Sequence, residues 1–100
     1  MASTEEEIRK SLEDYMAKAG GTAANWYIGT ARHPSKILFG QHRVERHGGR
    51  WAFKRAESPQ VARDVGYYFV RVVGTDGWAE GGDEAADYVY AYKKTPRTCP

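Results

Sequence analysis

Apolar positions recur along this chain with two different periods, and the switches between them delimit its elements. Ile8, Leu12, Tyr15, Met16 and Ala19 repeat at three- and four-residue steps, which predicts an amphipathic helix over about 4–19. Ser3 and Thr4 stand at capping-box spacing from Glu6 and Glu7, and Gly20-Gly21 stops the helix, since glycine tolerates the left-handed backbone common at helix ends. The aromatic and β-branched run Asn25 to Ala31 then reads as a strand. Pro34 suits a first helical position, so Ile37, Leu38 and Gln41 continue a short helix that ends near His42. Residues 43–50 are polar, contain Gly48-Gly49 and read as a turn. The alternation of Trp51-Ala52-Phe53-Lys54-Arg55 places Trp51 and Phe53 on one face of a second strand.

Ser58-Pro59 announces the most regular helix of the chain, in which Val61, Ala62, Val65, Tyr68, Phe69, Val72 and Val73 hold helical period until Gly74. Gly66 interrupts that apolar face, and close packing against a neighbouring element explains a helical glycine there. Residues 75–87, with three glycines and five acids, read as a long loop, and 88–93 as a strand with Tyr88, Tyr90 and Tyr92 on one face. Residues 94–100 form a polar tail. The order α-β-α-β-α-β predicts one α+β domain over 1–100, a small three-stranded sheet with about three helices packed on it. A chain of 100 residues has no second core to spare.

Composition adds less than charge does. With 41% hydrophobic and 28% charged residues the chain is ordinary for a globular domain, its start is acidic where a leader would be basic, and no apolar run approaches a membrane span, so a cytoplasmic protein without a membrane partner is expected. Cys99 is the single cysteine, which excludes an internal disulfide and a Cys-based metal site. Net charge is +2, yet residues 25–55 hold seven bases against one acid while residues 56–92 hold two against seven. Arg32, Lys36, Arg43, Arg46, Arg50, Lys54 and Arg55 form a basic stretch able to track a phosphate backbone of DNA or RNA. Pairing of this stretch with the acidic region is the alternative.

In this order of elements, Tyr27-Ile28-Gly29 followed by a proline-led helix ending in His42, a strand opening at Trp51 and a Ser-Pro-capped helix resembles the GIY-YIG nuclease core, over about half the chain. The resemblance implies that Tyr27 stands where the family's tyrosine lies beside the scissile phosphate. It also implies three departures. Ile37 occupies the position of the family's arginine, Gly66 that of its metal-binding glutamate, and the first motif strand is missing. The strand 88–92, placed beside the Tyr27 strand, would fill that vacancy as a circular permutation does.

The expected function is therefore a non-catalytic GIY-YIG-like module that binds nucleic acid through its basic middle, without cofactor or metal. A protein-interaction or assembly domain, including a homodimer, is one alternative. A metal-dependent endonuclease is another, needing Mg2+ and a rearranged site of Tyr27, His42, Arg43, Tyr90 and an acid from the 76–87 loop. Tyr88, Tyr90 and Tyr92 with Tyr27 and Trp26 suggest a platform for stacked bases. His33, His42 and His47 lack companions at metal-ligand spacing. The acids Asp76, Glu80, Asp83, Glu84 and Asp87 do not follow a calcium-loop pattern, and Trp78 among them is a candidate to close over a ligand.

Overall fold

A computed structural model describes residues 2–77 and 85–98. Its first element is α1 (Glu5–Ala19), and the expected capping box is present: the Thr4 hydroxyl accepts the Glu7 amide (3.2 Å) and the Glu7 carboxylate accepts the Thr4 amide (2.9 Å). The helix buries Ile8, Leu12 and Met16 and ends at Gly20, whose φ of 87° glycine alone takes without strain. A single 3₁₀ turn leads into β1 (Trp26–Ala31).

Next comes α2 (Pro34–Lys36), which widens at once into a π-helical turn over Ile37–Gln41 and is capped by His42. β2 (Trp51–Arg55) follows, then α3 (Pro59–Tyr68), whose first turn is closed by the Ser58 hydroxyl accepting the Val61 amide at 3.2 Å. α3 also continues into a π-helical turn, Phe69–Val73, and Gly74 ends it with left-handed backbone. β3 (Asp76–Gly77) and β4 (Tyr88–Lys93) complete the sheet.

The sheet order is β2-β4-β1-β3. β4 runs antiparallel to both neighbours, with Tyr27 opposite Tyr92 and Gly29 opposite Tyr90 on one side, and Trp51 opposite Tyr92 and Phe53 opposite Tyr90 on the other. The C-terminal strand thus lies beside the Tyr27 strand. β3 adds a parallel pair, Tyr27 with Asp76 and Ile28 with Gly77, so among the described residues the sheet has four strands and is mixed, where three were expected. Asp-Gly reads as a turn because neither residue packs a strand face. What forms this strand is backbone approach, and a Cβ on Gly77 would collide with the Ile28 carbonyl.

Period-two alternation splits the core into two layers. Trp26, Ile28, Val89 and Ala91 face α1 and α3 and join Ile8, Leu12, Ala62, Val65 and Phe69. Arg9 fastens the two helices, its guanidinium 3.5 Å from the Tyr68 ring centre. Tyr27, Ala31, Tyr90 and Tyr92 face the other way, under Leu38 of the π-helical turn and Val44 of the loop that follows it. Trp26 and Tyr27 therefore lie on opposite faces, and Tyr27, Tyr90 and Tyr92 are no more than 5% exposed. The expected base platform on these residues is corrected accordingly: the π-helical turn and the loop after it cover the tyrosines, and α1 and α3 cover Trp26.

Candidate functional site

His42 caps the π-helical turn and drops into the second core layer, 7% exposed. Both its ring nitrogens meet phenols: Nε2 lies 2.8 Å from the Tyr90 hydroxyl and Nδ1 3.0 Å from that of Tyr92. A neutral imidazole has one N–H and one bare nitrogen, so one of these tyrosines accepts and the other donates. Tyr27 completes the cluster, its ring nearly parallel to Tyr92 at 5.2 Å and tilted over His42 at 4.7 Å. Gly29 makes this possible. Tyr90 lies across it, and a Cβ there would strike the Tyr90 hydroxyl and ring. Burial, reinforced by the phenols of Tyr27 and Tyr92, pushes the Tyr90 hydroxyl above the usual tyrosine range.

Of the residues expected to form a catalytic group, the fold thus joins Tyr27, His42 and Tyr90 and adds Tyr92. Arg43 is separate, exposed at the head of the loop with φ 55°. Gly66 is buried on α3, and Ile37 packs against the second core layer. Asp76 is paired with Lys94 (3.2 Å) and Asp87 with Arg55 (3.1 Å). Glu80, Asp83, Glu84, Trp78 and Cys99 lie outside the described residues. Among the described residues no three His, Cys, Asp or Glu side chains gather. His33 and His47 are exposed while His42 is buried.

A different constellation emerges on the outer part of the same sheet face. β2 is an edge strand, and Trp51 and Phe53, two residues apart, stand half-buried with rings nearly parallel (12°) at 6.0 Å. Phe53 meets the ring of Tyr88 edge-on at 6.0 Å, and Trp51 meets Phe39 edge-on at 4.9 Å. The result is one continuous row, Phe39–Trp51–Phe53–Tyr88, beside the sealed tyrosines. Trp51 is fixed by donating its indole N–H to the Arg46 carbonyl (3.1 Å). The Arg46 guanidinium in turn lies over Phe39 at 4.1 Å.

All seven cations of the basic stretch are exposed. They are not equivalent. Arg46 abuts one end of the row, Arg32 and Lys36 line a cleft of about 320 Å3 at the other end together with Phe53 and Tyr88, and Arg50 precedes Trp51 in the chain. Arg55 is engaged by Asp87, and Lys54 alternates to the face opposite Trp51 and Phe53. The alternation of Trp51 and Phe53 was legible in the sequence, but their position at the sheet edge was not. Comparison with protein-family models, with curated proteins and with solved structures gave no match.

Proposed function

We propose that this chain is a non-catalytic binding module for single-stranded nucleic acid, with Trp51, Phe53 and Tyr88 stacking bases and Arg32, Lys36, Arg46 and Arg50 taking the phosphates. The observation that carries this reading is the half-buried aromatic row on the edge strand with cations at both ends. Stacking on aromatic side chains stabilises single strands by about 1–3 kcal/mol per base and needs unpaired bases, which favours single strands over duplex. The non-catalytic part of the reading is supported by the tyrosine cluster, whose imidazole has both nitrogens engaged by buried phenols. The relation to a GIY-YIG core with its missing strand supplied by β4 belongs to the same proposal, and the antiparallel pairing of β4 with β1 supports it.

The test is fluorescence anisotropy of labelled oligothymidylate, oligouridylate and a duplex of equal length. Single strands are expected to bind, with log K falling against log salt at a slope of roughly −2 to −3 if three or four cations each neutralise a phosphate. Trp51→Ala is expected to weaken binding about tenfold, within the range for one lost base stack. Absence of single-strand binding at low ionic strength refutes the proposal. Binding that is indifferent to salt refutes its electrostatic half.

A further inference from the structure

β2 ends the sheet on one side, and the hydrogen-bond register of that strand decides which of its backbone groups are left over. The Lys93 amide donates to the Arg50 carbonyl (2.9 Å) and the Ala56 amide to the Asp87 carbonyl (2.7 Å), so Arg50, Ala52, Lys54 and Ala56 are the residues turned toward β4. Trp51 and Phe53 alternate with them and turn their N–H and C=O groups outward. At its far end this edge is already occupied. Ser3 lies against Ala56 as a parallel bridge, its amide donating to the Arg55 carbonyl (2.8 Å) and its carbonyl accepting from the Glu57 amide (3.1 Å). Among the described residues no backbone group pairs with the outward N–H and C=O groups of Trp51 and Phe53. An open row of this kind is a template for a further strand.

Charge separates the candidates for that strand. Arg50 and Lys54 bracket the open stretch, both exposed, and neither has an acidic partner among the described residues. A second copy of β2, antiparallel with its Trp51 opposite Phe53, would set Arg50 against Lys54 at both ends, and like charges directly opposite each other destabilise a strand pair. A strand with acids at those two positions turns the same cations into attractions. We infer that the open edge at Trp51 and Phe53 takes an acidic, extended segment of a partner protein as an added strand. Antiparallel alignment suits it, because two residues of the segment then exchange hydrogen bonds with all the open groups of Trp51 and Phe53. Register also sets the chemistry of the segment: β-branched apolar residues opposite Trp51 and Phe53, one residue between them opposite Ala52, and an acid at each end opposite Arg50 and Lys54. The edge lies in the plane of the sheet whereas the aromatic row stands on its face, so the added strand and the nucleic acid proposed above occupy different places.

The probe is the blocked peptide Gly-Ser-Glu-Val-Thr-Val-Glu-Ser-Gly, titrated to about 1 mM into the isotope-labelled full chain and followed by NMR. The amides of Trp51 and Phe53 are expected to shift and to gain protection from hydrogen exchange, whereas those of Ala52 and Lys54, already bonded to β4, gain none. N-methylation of both valines is expected to abolish binding. N-methylation of the threonine, whose N–H points away from β2 in the antiparallel alignment, is expected to leave it intact. Exchanging both glutamates for lysine should weaken binding about tenfold. The variant with Arg50→Glu and Lys54→Glu, checked for native circular dichroism, should reverse that preference. Silence of the Trp51 and Phe53 amides overturns the inference, as does binding that survives methylated valines or ignores the exchange of charge. A dimer of the free chain in which these two amides are already protected assigns the edge to a second copy and overturns it as well.

Discussion

Gly29→Ala sets two physical effects of opposite sign against each other, and the structure decides between them. Intrinsic backbone entropy favours alanine over glycine in a strand by about 0.5–1 kcal/mol. Against this, the new methyl group would occupy space filled by the Tyr90 hydroxyl and ring, in a residue only 3% exposed. Overpacking a tight core costs about 1–3 kcal/mol. A displaced Tyr90 also gives up its 2.8 Å hydrogen bond to His42, leaving a buried ring nitrogen unpaired at a further cost of about 1–3 kcal/mol. The net destabilisation is about 2–4 kcal/mol, which for a domain of this size lowers Tm by roughly 10–25 °C. Urea unfolding followed by circular dichroism, with thermal melts alongside, measures it. The same His42 bond is removed by Tyr90→Phe, so the two substitutions should be less than additive when combined. A Gly29→Ala protein as stable as the wild type, or more so, would refute the claim that this glycine exists to seat Tyr90.

Alkaline pH should test the same cluster independently. Because the Tyr90 hydroxyl is held above its unfolded value near 10, the folded state keeps a proton that the unfolded state releases. Its contribution is intact below that value and is lost by about 1.4 kcal/mol per pH unit as pH rises toward the folded one. Tyr90→Phe should flatten this alkaline decline in unfolding free energy, and an unchanged slope would count against burial as its cause. At the other end of the scale, the Glu7 carboxyl is held below the usual glutamate range, chiefly by the Thr4 amide and then by its hydroxyl. Its NMR titration midpoint should therefore lie low and rise in Thr4→Ala, and a midpoint indifferent to Thr4→Ala would refute the hydroxyl's share. Ser58→Ala should destabilise the domain by about 1 kcal/mol through loss of the α3 cap, measurable as a shift in urea midpoint without a change in m.

How much of this was legible in the sequence depended on whether the signal was local. α1 and α3 were read from helical period and from Thr4, Ser58-Pro59 and Gly74, and β4 from its alternating tyrosines, because caps and periodicity are properties of neighbouring residues. β3 escaped because its two residues contribute backbone contacts alone. The faces of the aromatic strands were half legible. Alternation grouped Tyr88, Tyr90 and Tyr92 correctly, yet whether a face is covered depends on where the π-helical turn after α2 lands, and it lands on Tyr90 and Tyr92 while leaving Tyr88 at the rim. The row from Phe39 to Tyr88 joins three separate elements, so no spacing rule reaches it. Gly29 carried a signal that was read as part of a motif, whereas its structural reason lies on the opposite strand.

The sheet order has a consequence for how the molecule comes into being. β1 and β2 never touch as partners; each is joined to β4, which follows both in the chain. On a translating ribosome, at roughly 5–20 residues per second, the two earlier strands must wait without their common partner while everything between them and Tyr88 is made. Closure of the sheet is then a late insertion between strands already synthesised, dominated by contacts distant in sequence and correspondingly slow. A nascent chain stalled before Tyr88 would display the apolar faces of Trp26, Ile28 and Trp51 to chaperones, and emergence of β4 is the event that withdraws them.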